Sequence, residues 1–472
     1  MLNKLVDLDR VDVYGLCFAL FKRTEKLDWY FGFGWHNMIE KALKFARAAS
    51  WRGVRVSSLF GEVVIVKDQI LVKWERIEAA SLIICRHVST FNAEVVNRLR
   101  AAGAVVIGRA AMDEFGVGFS SVSCVRGPVF SAWAVQASDY LGTCALAGGS
   151  SGGCASAVAL ECATMALGTD TGGSVRQPAF LNGVIGLKPT YGRCSRWGVI
   201  SYCSSLDQVG VLAKTAGDCA ELSTVIFGKD LKDWNSVWLP VPKYKLYTSD
   251  VLELNATMLR RHSPCSDENW SYSLAVFRKS KIKLTEAKLK FVSMILPCYC
   301  VLSAVECYSN FSRYDGLRYG LRVREDDAFL MYKKIRSAGY GAEVKRKLMT
   351  GAYVLSSRLG YERLYRKAER VRFMIKNQLN SLLKSSVGLV TPTVPKINLS
   401  LSSINKLQWE ADIYTVLSSI TGLPSIQVPT GLDRNSLPFG VQIVGNAFDE
   451  ASLICVCSRL QKICGMVSPI DS

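Results

Sequence analysis

Histidine is the scarcest chemically useful residue in this chain. Its 472 residues include three, His36, His87 and His262, and none lies in a glycine-rich or otherwise site-like context. A Ser-His-Asp relay is not excluded on that ground, but a lysine-based version of the same logic becomes the more attractive one. Metal-ligand spacing is also missing. There is no C-x-x-C pair, Cys298/Cys300 and Cys455/Cys457 are spaced wrongly for a zinc ribbon, and no nearby histidine completes a site. No G-x-x-x-x-G-K-[ST] loop occurs, so ATP chemistry is not expected on this chain. Long apolar runs are lacking too: the most apolar stretch, near Met294–Val305, is short and contains Pro297, so no membrane span is expected. The opening MLNKLVDLDRVDVYG carries acids inside its would-be apolar region and does not read as a secretory signal.

What remains is globular. Hydrophobic residues make up 49% and charged residues 21%, with no low-complexity tract or internal repeat, and the length supports a large core. Basic residues outnumber acidic ones, 58 to 40, for a formal charge of +18. Such a surface suits an RNA or an acidic protein partner, and equally a merely solvated basic exterior. The sixteen cysteines sit largely inside apolar runs, as Cys85, Cys162, Cys219 and Cys455 do, where a free thiol acts as a small hydrophobe. A reducing, soluble compartment is the simplest expectation.

The informative stretch is 147–178, AGGSSGGCASAVALECATMALGTDTGGSVRQP. Two glycine-rich, hydroxyl-bearing turns, Gly148–Gly153 and Gly168–Ser174, flank the small apolar segment Cys154–Leu167. That segment predicts a buried helix of about four turns. Around Thr171, Gly172, Gly173 and Ser174, consecutive N–H groups can converge on one developing oxyanion, at ~3 kcal/mol per donor. Taken alone, Gly-Gly-Ser is an ordinary turn, but two such turns around one segment are far less common. The best base is Lys67, which ends the run Val63-Val64-Ile65-Val66. This run reads as a buried strand, and a partly desolvated lysine at its mouth has a lowered pKa. The bland reading is a snorkelling strand-end lysine.

GGSSGG, GTDTGGSVRQP and then GVIGLKPTYGRCSRWGVISYCSSLDQVG, in that order, resemble the amidase-signature family. The resemblance implies Ser174 as nucleophile, Ser150 as the bridging serine whose peptide is cis, and Lys67 as the base. It also implies an α/β fold, a large mixed β-sheet covered by helices on both sides, in one domain over 1–472. Residues 1–60 would be a helical N-terminal region and 228–290 a divergent, insertion-like one. The blocks Ser309–Gly320, Gly341–Lys347 and Tyr361–Lys376, with Asp412-Ile413-Tyr414-Thr415, Gly422-Leu423-Pro424 and Leu437–Gln442, are similar to the glutaminase (A) subunits of tRNA-dependent amidotransferases.

That narrower resemblance implies a heteromeric enzyme that draws ammonia from glutamine and converts mischarged Glu-tRNA(Gln) or Asp-tRNA(Asn). Its partners would be a B subunit, where ATP and Mg are used, and a small C subunit, with no membrane and no cofactor or metal in this chain. The setting would be a bacterial cytoplasm or an organellar matrix. Free glutamine carries a carboxylate and an ammonium, so its pocket needs a cation and an anion. Arg346 or its neighbour Lys347 is the candidate for the first and Asp412 for the second, with Tyr299 as a wall. The family typically has two arginines where this chain has Arg346-Lys347. If Lys347 is the clamp, a bidentate fork has become a point charge. A stand-alone amidase on another small amide, or a catalytically silent assembly or RNA-binding subunit, remain the alternatives.

Elsewhere the pattern predicts a helix within Asn37–Arg52 and another over about Ala93–Ala102, closed by Gly103 and followed by a strand over Ala104–Ile107. A strand is expected at Val184–Leu187, and a helix capped by Thr215 with Asp218. Met112-Asp113-Glu114-Phe115, with Ser120 and Ser121, resembles a block beside the family's active site. Between 127 and 147 the chain is longer than its relatives. Cys154 stands where they have serine and reads as a small helix-start residue. Arg278, Lys279, Lys281, Lys283, Lys288 and Lys290 read as a solvated helix face.

Overall fold

The computed structural model describes residues 57–134, 145–242, 254–259, 267–395 and 412–469, with a few positions nearer the N-terminus and Tyr244. Of the expected Asn37–Arg52 helix, only 42–44 and 46 are described, and they are helical; the rest lies outside the described residues. So do residues 135–144 of the expected extra length.

Among the described residues ten strands form one mixed sheet. In chain order they are β1 Val63–Lys67, β2 Val105–Ala110, β3 Met165–Asp170, β4 Ile185–Lys188, β5 Gln208–Ala213, β6 Leu254–Leu259, β7 Ile282–Ala287, β8 Leu389–Pro392, β9 Ser425–Leu432 and β10 Pro438–Val444. Their spatial order is β2-β1-β3-β5-β4-β9-β10-β8-β6-β7. β1 runs parallel to both its neighbours, the pairings from β3 through β5, β4, β9 and β10 to β8 are antiparallel, and the last three strands are parallel again.

β1 shows why the sheet needs cover on both faces. Val63 and Ile65 point into one core, Val64 and Val66 into another, and all four are buried. Alternation in a strand sends neighbours to opposite faces, so an unbroken apolar run demands two covered sides. On the Val64 side lie α1 Glu94–Ala101, α4 Ala216–Ile226 and α11 Glu450–Cys464. On the Val63 side lie α2 Gly152–Ala159 and α3 Arg176–Asn182. Gly103, at φ +81°, follows the last turn of α1, and the Thr215 side chain caps α4 by accepting from the Asp218 N–H at 3.0 Å.

A third core lies beyond one end of the sheet, built from α6 Val292–Phe311, α8 Ala342–Leu355, α9 Arg366–Leu383 and α10 Thr415–Thr421. The apolar stretch at Met294–Val305 is thus part of a longer helix than expected. Among the described residues, α6 is the one helix long and apolar enough to cross a membrane, yet it buries Ile295, Tyr299 and Leu302 in this core. α5 Asp267–Lys279 and α7 Ala328–Gly339 complete the helices used here.

Two expectations are corrected. The segment Cys154–Leu167 is not one helix: α2 ends at Ala159, the chain reverses at Glu161 (φ +54°), and Met165–Asp170 is a buried strand. Ala, Leu and Met favour helix, but β3 fills the gap between β1 and β5 and gains ladder bonds on both edges, which overrides propensity. The basic run is not one helix face either. Arg278 and Lys279 end α5, whereas Lys283 lies on β7, the sheet's edge strand. Charge on an edge discourages further strand pairing.

The small residues of α2 let it approach the sheet closely. A Cβ on Gly153 would stand 2.6 Å from the Ala111 carbonyl oxygen. Helix propensity favours Gly153→Ala by ~1 kcal/mol, but backbone cannot yield as a flexible side chain does. The expected net effect is a loss of about 1–3 kcal/mol. Chemical unfolding of the variant measures it, and a gain in stability would contradict the close packing.

Candidate active site

β1 and β3 run side by side and end together, which brings Lys67 to the final residues of β3. Lys67 Nζ donates to Ser150 Oγ at 2.7 Å, to Thr169 Oγ1 at 2.8 Å and, more weakly, to the Thr169 carbonyl at 3.4 Å. Thr169 Oγ1 in turn donates to Gln69 Oε1 at 3.0 Å. The lysine is wholly buried, and burial pulls it down to about 8, the carboxylates of Asp113, Asp170 and Asp207 opposing the fall. A base poised near neutrality on a hydroxyl is what proton transfer requires.

Ser150 lies in the turn entering α2, and the Gly149–Ser150 peptide is cis. Asp113 lies behind this turn. Its carboxylate accepts from Ser121 N at 2.9 Å and Ser123 Oγ at 2.7 Å, and it packs so closely on Gly149 that no Cβ would fit. Ser174 opens the chain into α3 and keeps 7% exposure. Backbone ties the two serine turns, Ser151 N–H donating to the Ser174 carbonyl at 3.1 Å. The two serine hydroxyls are not hydrogen-bonded to each other.

The loop 170–176 is organised by a carboxylate that sequence reasoning passed over. Asp170 accepts from the N–H groups of Gly173 at 2.9 Å and Val175 at 3.1 Å, and from both Nε and Nη2 of Arg176 at 2.9 and 2.8 Å. The pair is fully buried. Burial would raise the Asp170 carboxyl, but the adjacent guanidinium and the backbone donors hold it below its ordinary value. Arg176 spends its remaining donors on the Thr415 carbonyl, Ser418, Ser419 and Gln442. An Asp four residues before a serine nucleophile, with an Arg two beyond it, was the available signal.

This arrangement corrects one expectation. The N–H of Gly173 is committed to Asp170 and is not free for an oxyanion. The N–H groups of Thr171, Gly172 and Ser174 have no hydrogen-bond partner among the described residues. Thr171 Oγ1 donates to Asp207 at 2.7 Å, which anchors the outer side of the loop. Gly173 itself, at φ +137°, leaves no room for a Cβ against Thr415, so glycine is required there.

Four further residues come from the third core. The Tyr299 hydroxyl lies against Gly172, where a Cβ would stand 2.6 Å away. Lys347 Nζ lies 5.3 Å from the centre of the Tyr299 ring and donates to Ser303 Oγ at 2.9 Å. Asp412 precedes α10; burial pushes its carboxyl up to about 7, and the Lys347 ammonium is the main influence holding it down. Arg346, one residue along α8 and so turned to another face, pairs with Glu343 at 2.6 Å in a half-exposed position. The adjacent cations are therefore separated, and Lys347 is the one beside Tyr299. Cys154 donates to the Leu167 carbonyl at 3.6 Å and burial pushes its thiol up to about 12, consistent with packing. His87 lies with its ring 5.3 Å from that of Tyr319, tilted by 46°, while His36 and His262 lie outside the described residues.

A family model described as Amidase matches residues 16–454. The chain belongs to the amidase family. Among its relatives, the A subunit of a glutamyl-tRNA(Gln) amidotransferase from Ehrlichia chaffeensis is 38% identical, over 87% of this chain and 86% of that one. Its namesake from Jannaschia sp. is 35% identical, over 98% and 95%. The crystal structure of the A subunit of glutamyl-tRNA(Gln) amidotransferase from Thermotoga maritima superposes with a TM-score of 0.76 at 30% identity, covering 95% of this chain and 91% of that one. The peptide amidase of Stenotrophomonas maltophilia shares the amidase fold at 23% identity, with a TM-score of 0.78 and coverage of 97% and 95%.

Within this amidase fold the Asp170–Arg176 pair has a measurable weight. Removing one partner of a buried ion pair strands the other, at about 3–5 kcal/mol. Arg176→Met is expected to lose stability of that order in chemical unfolding and to lose amide hydrolysis with it. A variant of wild-type stability would mean that the pair holds nothing.

Proposed function

We propose that this chain is the glutamine-hydrolysing subunit of a tRNA-dependent amidotransferase. The observation that carries the reading is the 2.7 Å bond from buried Lys67 to Ser150, in a turn tied to that of Ser174. Neutral Lys67 takes the Ser150 hydroxyl proton as Ser150 takes that of Ser174, whose side chain turns by rotation about its Cα–Cβ bond. Ser174 Oγ attacks the glutamine side-chain carbonyl, and the oxyanion is held by the N–H groups of Thr171, Gly172 and Ser174. The proton returns through Ser150 to the leaving nitrogen, which departs as ammonia. Water then cleaves the glutamyl ester by the same relay and releases glutamate.

Lys347 meets the glutamine α-carboxylate, Asp412 meets its α-ammonium, and Tyr299 forms the wall between them and the reacting amide. With lysine in place of a second arginine, the carboxylate meets a point charge. The names of the relatives support passage of the ammonia to Glu-tRNA(Gln). In this reading ATP and Mg act on a companion B subunit, and a small C subunit is a further component.

Co-expressed with its companion subunits, the chain is expected to release ammonia from glutamine, and Ser174→Ala is expected to abolish that release. Undiminished release by the variant removes Ser174 from the mechanism. The pH profile separates two groups. Lys67 must be neutral to act, so kcat should rise about tenfold per pH unit below a limb near 8 and level above it. Asp412 must be ionised to hold an ammonium, so KM for glutamine should climb as pH falls through about 7. A kcat independent of pH across this range would exclude Lys67 as the base.

A further inference from the structure

Residues 228–239 form an irregular loop that buries two aspartates and a serine and turns Leu231, Trp234, Trp238 and Leu239 outward. Asp230, Asp233 and Ser236 are buried. The Asp230 carboxylate accepts from Ser195 Oγ at 2.6 Å and from Lys232 N at 3.0 Å, and that of Asp233 from Arg196 N at 2.9 Å and Asn235 N at 3.0 Å. Ser236 Oγ donates to the carbonyls of Asp230 and Asp233, Val237 N–H donates to the Gly192 carbonyl, and Arg98 reaches the Lys229 carbonyl. Pinned this way, the loop leaves Trp234 94%, Leu231 79% and Trp238 77% exposed. A free surface favours the opposite arrangement.

The exposure continues beyond the loop. Lys232 Nζ sits 6.0 Å from the Trp197 ring, and Trp197 lies 5.5 Å from Phe91. Asn92, the next residue, accepts from the Lys73 N–H, and Lys73 Nζ lies over the Trp74 ring at 5.1 Å. Trp197, Phe91 and Trp74 are all exposed. Aromatic side chains are large apolar bodies, and an extended run of exposed ones is unusual for the surface of a free monomer. Its charges are mainly of one sign at the rim: Lys73, Arg100, Lys229 and Lys232 border it, Asp230 and Asp233 are turned inward, and the one carboxylate among them, Glu94, lies between Arg98 at 3.1 Å and Lys232 at 3.6 Å.

We propose that this strip is a docking surface for another polypeptide, with Trp234 and Trp238 as its anchors, and that the partner supplies an apolar cleft bordered by carboxylates. Three observations select that occupant. A second copy of this chain would set lysine rim against lysine rim at +18 each. A nucleic acid would stack on a series of open ring faces, but Lys229, Lys232 and Lys73 lie over those of Trp238, Trp197 and Trp74, which leaves Trp234, among the described residues, as the one indole of the strip without a cation over it. The hydrogen-bonded loop presents its indoles without further ordering, and rigid tryptophans in a desolvated centre carry most of the binding at protein interfaces. The assignment rests on the glutaminase reading above, which supplies the companion B subunit for the test.

The test uses the full chain and the companion B subunit from the same source, with Kd measured by sedimentation or biolayer interferometry. Trp234→Ser and Trp238→Ser are each expected to weaken the complex at least tenfold, and the double variant at least a hundredfold. Unfolding temperatures should stay unchanged, since both side chains are exposed, and Trp234→Phe should recover part of the loss. Undiminished affinity in the double variant, with wild-type protein forming the complex, overturns the surface and leaves the glutaminase reading intact. A wild-type chain that forms no complex overturns the glutaminase reading and the surface with it. If the variants keep the complex but lose binding of the lone chain to unfractionated tRNA, the strip is a nucleic-acid surface and the proposal fails.

Discussion

The fully buried pair of Asp170 and Arg176 is the constraint on which the loop at 170–176 depends. One carboxylate closes the turn by accepting two backbone N–H groups, and its guanidinium partner joins that turn to α10 and β10. A buried ion pair is weak evidence for stability when its lone pairs and protons go unmatched. Here every donor of Arg176 has an acceptor, so the cost of desolvation is offset by charge-assisted bonds rather than by the pair alone. The shape of the loop follows: Gly173 turns its N–H inward, and those of Thr171, Gly172 and Ser174 remain for chemistry.

Lys67 shows the complementary use of burial. A strand with apolar neighbours on both sides carries its last side chain into a place water cannot reach, and the lysine loses proton affinity there. Three acceptor atoms, from Ser150 and Thr169, keep it in position. Nearby groups, Cys154 and the carboxylates of Asp113, Asp170 and Asp207, oppose the fall, and the lysine stands at about 8. Burial at the end of one apolar strand, opposed by nearby charges, therefore sets both the place and the strength of the proposed base.

Much of this was legible because it is local. Val63–Val66 announces a strand, Gly103 closes a helix, Thr215 caps another, and the two glycine-serine turns mark where the chemistry sits. What was not legible depends on partners far away in sequence. Cys154–Leu167 has helical composition, yet β1 and β5 claim its second half as a strand. Adjacent cations at 346 and 347 look alike in sequence, and only the packing of α8 on α6 turns one toward Tyr299. The further bonds of Arg176 were hidden for the same reason, since its acceptors beyond Asp170 lie on α10 and β10, late in the chain. The inverted loop at 228–239 lay in a stretch that carried no motif.

The order in which the site's parts leave the ribosome has its own consequence. Lys67, Ser150 and Ser174 emerge first, whereas the acceptors of Arg176 on α10 and β10 are made near the end. Until then Asp170 alone answers the guanidinium, and its remaining donors wait for theirs. The loop at 170–176 therefore reaches its full set of contacts only with the last part of the chain, and contacts of such long sequence separation are slow to form.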